Sequence, residues 1–277
     1  MSSSHNSDGH PDKVALKAAL RSFLDARVSL EGEMPNVEAA RWSENNVGAH
    51  PDSVTRIEEF PAVQIFADPL QGQGAAIGVA RVAEQLRPYA ARVAFAGDQI
   101  AEVEEIISTA THGHFADVDR LLLPDVLYEG QIPPERAGDR DAVRNRADSY
   151  WQALEESDGT VARFAYRCDR YDNGKKITNN LSILLSPDAA VHSPASCVSA
   201  TRPARPIARN RRFPVIDTDL GIAVSFVLVD FHPAPHLDRP DCGTFYMAGL
   251  FKISDDEIRS LDEIREILPL GISEIWT

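Results

Sequence analysis

Two residues near the end of one apolar strand carry the most pointed chemistry in this sequence. From Ile222 to His232 the chain reads IAVSFVLVDFH. Strand alternation puts Ile222, Val224, Phe226, Leu228, Asp230 and His232 on one face. A carboxylate and an imidazole then stand about 6.5–7 Å apart along the strand. Imidazole is the usual general base near neutral pH, and a neighbouring carboxylate raises its basicity. The pattern predicts His232 as base and Asp230 as its partner. The plainer reading is a solvated strand end, where the pair caps a sheet edge.

Other groups can join that chemistry. Tyr150 falls on the apolar face of a helix, with Trp151 beside it. A phenol there donates a hydrogen bond to a carbonyl or a developing oxyanion, or it fills a core. In YRCDRYDN, Tyr166, Cys168, Arg170 and Asp172 share a face. Arg170 can hold a carboxylate or an enolate, or it pairs with Asp172. Cys168 has no clear base partner and reads as a small core residue rather than a nucleophile. The candidate catalytic set is His232, Asp230 and Tyr150, with Arg170, Cys168, Asn173, Trp151, Arg212 and Tyr246 as candidate substrate contacts. His112-Gly113-His114 has no third ligand near it in sequence. GxGxxG, P-loop and GxSxG patterns are absent. The expectation is chemistry without metal or cofactor.

The bulk numbers narrow the partners. The chain has 277 residues and a formal net charge of −14. Such a field repels a phosphate backbone or an anionic leaflet, so nucleic acid and membrane are poor partners and a small-molecule ligand is the expected one. Three cysteines, Cys168, Cys197 and Cys242, show no framework spacing. The N-terminus, MSSSHNSDGHPDK, has no apolar core of a signal peptide, and no run has bilayer-spanning length. The expected location is the cytoplasm.

Those side chains need elements to hold them. Residues 1–11 read as a disordered tail, and a helix starts at Pro11-Asp12, with Leu16, Leu20 and Phe23 at helical spacing. GAAIGVARVAE, YAARVAFAGDQ and IAEVEEII read as three strands. Residues 110–140 look loop-like, and a second helix runs from about Asp139 to Glu156, ended by Ser157-Asp158-Gly159. The first pattern then returns.

Three segment pairs match in the same order. ENN at Glu44 matches DNG at Asp172, FPAV at Phe60 matches FPVI at Phe213, and GDQIAEVEEI at Asp98 matches DDEIRSLDEI at Asp256, at offsets of 128, 153 and 158. The growing offsets place an insertion of about 25 residues in the second copy, chiefly between Asn173 and Phe213. That stretch, 186–212, carries Arg202, Arg205, Arg209, Arg211 and Arg212, a lid for an anionic substrate or a counter-charge for an acidic surface. The expected fold class is α+β: two tandem cone-shaped units, each a helix packed on a curved, mostly antiparallel sheet. The divisions are a tail at 1–11, a first, structural unit at 12–112, a linker at 113–138 and a second, active unit at 139–277. The register that aligns Asp68 with Asp217 puts Arg81 and Ala83 opposite Asp230 and His232, so the acid–base pair belongs to the second unit alone. The two sheets are expected to pack on each other as a pseudo-dimer, covering Val79, Val93 and Phe95 on one side and Val227 and Val229 on the other. Further homo-oligomers remain open.

Cys168, Arg170, Asp172, Asn173 and Gly174 resemble a C-x-R-x-E-N-G strand, with Asp for Glu. Arg211, Arg212, Phe213, Pro214, Val215, Asp217, Gly221 and His232 resemble an RRFPVVD–G–hydrophobic strand ending near His. Over residues 12–277 the order of these motifs is similar to the nuclear transport factor 2-like superfamily, which includes polyketide cyclases and ketosteroid isomerases, and to an uncharacterised bacterial and fungal branch of it. The resemblance implies a ligand cavity between helix and sheet. It also implies either a cofactor-independent lyase, dehydratase or isomerase acting on a small, partly apolar molecule in the second cone, or a binding protein of the same fold that does no chemistry.

Overall fold

The computed structural model describes residues 12–28, 40–113, 116–181, 196–200, 205–232 and 243–276. The proposed tail, His114, Arg202, Cys242 and most of the insertion lie outside the described residues.

The first unit opens with α1 (Lys13–Val28), which Asp12 caps by accepting the Ala15 N–H at 2.7 Å. Short strands β1 (Arg41–Glu44) and β2 (Val47–Ala49) follow. Then come four long ones: β3 (Glu59–Asp68), β4 (Gln73–Val82), β5 (Gln85–Ala96) and β6 (Gln99–Ile107). The second unit repeats the series with α3 (Arg140–Glu156), β9 (Phe164–Asp172), β10 (Lys175–Lys176), β11 (Ile207–Asp217), β12 (Ile222–Phe231), β13 (Gly243–Ser254) and β14 (Glu257–Leu268). A four-residue helix, α4 (Cys197–Ala200), precedes β11.

The two sheets have the same strand order: β2-β1-β6-β5-β4-β3 and β10-β9-β14-β13-β12-β11. In each, the first strand pairs in parallel with the last one, and all other pairs are antiparallel. The protein is therefore α+β with two like units. Register agrees as well as order: Glu44 lies opposite Glu105 as Asp172 lies opposite Glu263. Asp68 lies opposite Gln73 as Asp217 lies opposite Ile222. The buried stripe of α1 (Leu16, Leu20, Phe23, Leu24, Arg27) has the spacing of Val143, Ala147, Tyr150, Trp151 and Leu154 in α3.

The sheets pack against each other across a third core, in which Phe66, Ile77 and Val79 of one face Ile222, Val224, Phe226 and Leu228 of the other. The apolar face of β12 assigned to the cavity is thus the face between the sheets. Ala223, Val227 and Val229 line the second cone instead, and Val93 and Phe95 belong to the inside of the first. Every residue of β12 from Ile222 to Asp230 is buried, so alternation of polarity carried no information about which face was which.

The segment between the units is structured rather than loop-like. β7 (His112–Gly113), β8 (Ala116–Asp117) and α2 (Val118–Leu121) fall within it, and Val118, Leu121 and Tyr128 enter the core between the sheets.

Candidate functional site

The floor of each cone holds a pair of facing carboxylates held by arginine and tyrosine; Glu105, Asp172 and Glu263 are buried, while Glu44 is partly exposed. In the first unit the pair is Glu44 and Glu105. Arg27 of α1 lies 3.1 Å from Glu105 and 4.0 Å from Glu44, and Tyr89 of β5 donates to Glu105 at 2.7 Å. In the second unit the pair is Asp172 and Glu263, and the suppliers change places. The arginine, Arg170, now comes from β9, at the position Trp42 holds on β1, while the tyrosine, Tyr150, comes from the helix. Arg170 reaches Asp172 at 3.0 Å and Glu263 at 2.9 Å, and Tyr150 donates to Glu263 at 2.9 Å.

The electrostatics of the second floor are uneven. Burial and the charge of Asp172 outweigh Arg170 and push Glu263 up to about 8. Burial also opposes ionisation of Asp172, but Arg170 and Arg265 overcome it and hold that carboxyl below its usual range. Of the two carboxyls, Glu263 is therefore the one that holds a proton more tightly. Burial raises the Tyr150 phenol well above its ordinary value.

Above this floor Tyr150, Trp151 and Phe251 pack edge to face, with centroids 4.9, 5.7 and 6.1 Å apart. Two polar atoms here, Trp151 Nε1 and Ser225 Oγ, have no hydrogen-bond partner among the described residues. Both side chains are fully buried, and both crowd the same wall at Gly249. The corresponding places in the first cone hold Leu24 and Ala76.

The remaining sequence candidates lie elsewhere. His232 follows the last residue of β12 and is exposed, which corrects its expected place in an enclosed pocket. The strand ends before it, so alternation no longer governs its direction. Asp230, on the face between the sheets, accepts from Arg209 at 2.8 Å and from Thr244 at 2.5 Å. Burial opposes its ionisation, but those hydrogen bonds prevail and hold it below the usual range. Arg212 and Tyr246 are between the sheets too, both bonded to Glu104 of the first unit; the arginine distances are 2.6 and 2.7 Å. Asn173 occupies a turn with φ 44° and binds Ser108 of the first unit at 3.0 Å. Cys168 is in the second cone against Cys197. Of the insertion's arginines, Arg209, Arg211 and Arg212 all pair with acids, so within the described residues they act as counter-charges.

A concavity that was not read from the sequence opens where the units meet. Lys13, the first residue of α1, reaches across to Asp217 at the end of β11 (2.8 Å) and to Asp219 (2.7 Å). Arg140, the first residue of α3, reaches back to Asp68 at the end of β3 (2.5 Å). These reciprocal ion pairs flank a cleft of about 590 Å³ with Pro69, Leu70, Ile132 and Pro134 as apolar wall. The repeat was the signal that could have found it, since each cation directly follows a helix-capping aspartate. A separate cluster corrects the reading of His112: its ring, Asp117 and Asp119 bring ligand atoms within 4.8 Å of one another at the surface.

With this geometry in view, the comparisons are sparse. Residues 136–265 match a family model described as a domain of unknown function (DUF8021). The chain is also similar to an NTF-2 like protein of unknown function from Burkholderia xenovorans LB400, at 14% identity over 50% of this chain and 93% of that one, with a TM-score of 0.27. No curated protein matches the chain. No described helix is long and apolar enough to cross a membrane.

Proposed function

We propose that this chain is a small-molecule-binding protein of nuclear transport factor 2-like architecture, a tandem duplication whose ligand occupies the cleft between its two units. The observation that carries the reading is the cleft itself. It has the volume of a ligand site, apolar walls and a few convergent charges drawn from four elements of both units. Residues 12–112 and 139–277 are then two copies of one unit, with the intervening segment as part of the shared core.

The reading is tested with Ala137→Trp, which places an indole in the cleft at an exposed position. A small-molecule library is screened by native mass spectrometry. Ligands that bind the wild type and are lost in Ala137→Trp, but kept in the cone variant Ser225→Val, support the cleft. The opposite pattern overturns it.

A second reading is favoured by the raised Glu263. A cofactor-free lyase, dehydratase or isomerase working in the second cone would use Glu263 as proton carrier and Tyr150 as hydrogen-bond donor, with Arg170 holding the charge and Trp151 and Ser225 contacting substrate. His232 and Asp230 have no part in that version. Turnover of a bound ligand, lost in Glu263→Gln, would favour it over binding alone.

A further inference from the structure

We propose that Cys168 and Cys197 are a thiol–disulfide pair, a covalent modification site whose reagent is a low-molecular-weight disulfide. The geometry is specific. Cys168 is on β9 and Cys197 begins α4, 29 positions further on. Their sulfurs are 2.9 Å apart, and Cys197 Sγ lies 3.1 Å from the Cys168 carbonyl oxygen. Even carbon atoms, smaller than sulfur, rest at about 3.5–4.0 Å when not bonded. The sulfurs need approach by only about 0.9 Å to reach the roughly 2.05 Å of a disulfide. Metal binding is the rival use of two close thiols. Among the described residues no imidazole or carboxylate joins them as a third ligand.

Both thiols are buried in the second cone's core. The contact with Cys197 and burial push the Cys168 thiol up, so it is not the sulfur that starts the reaction. Cys197 sits on a helix of four residues, which must lift from β9 for its thiol to react. Exposed, its thiolate attacks one sulfur of glutathione disulfide, forming a mixed disulfide and releasing one glutathione thiolate. As α4 settles back, the Cys168 thiolate attacks the Cys197 sulfur, forming the internal bond and releasing the second glutathione. Two protein thiols are oxidised, one small disulfide is reduced to two thiols, and the two thiol protons pass to the departing glutathiones. The product staples α4 to β9 on the wall that also carries Arg170.

The experiment uses the full chain. Reduced protein is incubated with glutathione disulfide, denatured and alkylated, then mapped by mass spectrometry. The expected result is a fall from three alkylated cysteines to one, Cys242, with a peptide linking Cys168 to Cys197. The oxidised protein is expected to melt higher than the reduced one by on the order of 10 °C, and Cys197→Ser to show neither link nor gain. Three alkylated cysteines after treatment, a link through Cys242, or separate glutathione adducts on Cys168 and Cys197 would each overturn the proposal. The mapping is made on the wild type, so it decides even where the variant folds poorly.

Discussion

Glu263→Gln tests whether the second floor stores a proton. In the wild type the carboxyl rises from 4.5 to about 8, through burial and the neighbouring Asp172 charge. The folded protein keeps this proton longer than the unfolded chain does. The contribution of Glu263 to stability is therefore fully present below about pH 4.5 and lost as pH rises through about 8. A tenfold gain in proton affinity on folding is worth about 1.4 kcal/mol, so the ceiling is about 5 kcal/mol. Glu263 and Asp172 titrate as a coupled pair, and about half of that is the expected net loss. Glutamine keeps the shape, still accepts from Tyr150, and never ionises. At pH 5 the variant and wild type are expected to melt together. By pH 8.5 the variant is expected to be the more stable by roughly 5 °C in Tm. The assay is thermal unfolding by circular dichroism in half-unit pH steps, with constant ionic strength. A difference that stays flat, or one in which the variant loses ground as pH rises, would refute the coupled-pair argument.

Four further outcomes follow from the same geometry. Arg27→Ala leaves Glu44 and Glu105 without their cation in the first floor and is expected to cost about 3–5 kcal/mol in urea unfolding. Ser225→Ala removes a buried hydroxyl that has no partner among the described residues, at a position where the first unit has Ala76, and is expected to raise stability by up to about 1 kcal/mol. His232→Ala is expected to change stability by less than about 0.5 kcal/mol and to leave ligand binding intact, because the side chain is exposed. Gly174→Ala is expected to cost at least about 2 kcal/mol: φ is 83°, and a Cβ would stand 2.3 Å from the Asp117 carbonyl oxygen.

The parts of the fold that were legible are those with local causes. Asp139 caps α3 by accepting the Ala142 N–H at 2.8 Å, and Ser157 ends it in the left-handed region at φ 53°. Gly97 and the pair Asp255-Asp256 make hairpin turns in the left-handed region, which glycine and aspartate tolerate. The ENN/DNG and GDQI/DDEI segments sit at matched places in the two sheets, whereas Phe60 and Phe213 are about four residues out of register. The linker was misread for the opposite reason. Val118 and Leu121 lie on one helical turn and Tyr128 on a separate short turn at Val126–Glu129, so neither element is long enough to show a period although together they cover one core.

The site was less legible because chemistry there depends on which face a strand turns inward, and that is a property of the pair of sheets. A sheet covered on one side alternates; β12 is covered by α3 and its own unit on one side and by the other sheet on the other, so both of its faces are apolar. Inverting the parity moves Asp230 from cavity wall to interface and brings Ser225 into the cone. β14 reads EIRSLDEIREIL, and within it Arg259, Leu261, Glu263 and Arg265 share one face while Asp262 and Ile264 share the other, so polarity does not mark the inward face here either. A buried glutamate must be paired or protonated, and the first unit has Glu105 at the same register. Each unit meets that demand with a different pair of elements: helix arginine and strand tyrosine in one, strand arginine and helix tyrosine in the other. Both units set a cation and a phenol beside these carboxylates, drawn from different elements. Position-by-position comparison of the two units therefore misses the floor, because Arg170 aligns with Trp42 and Tyr150 with Phe23, although the carboxylates they serve align throughout.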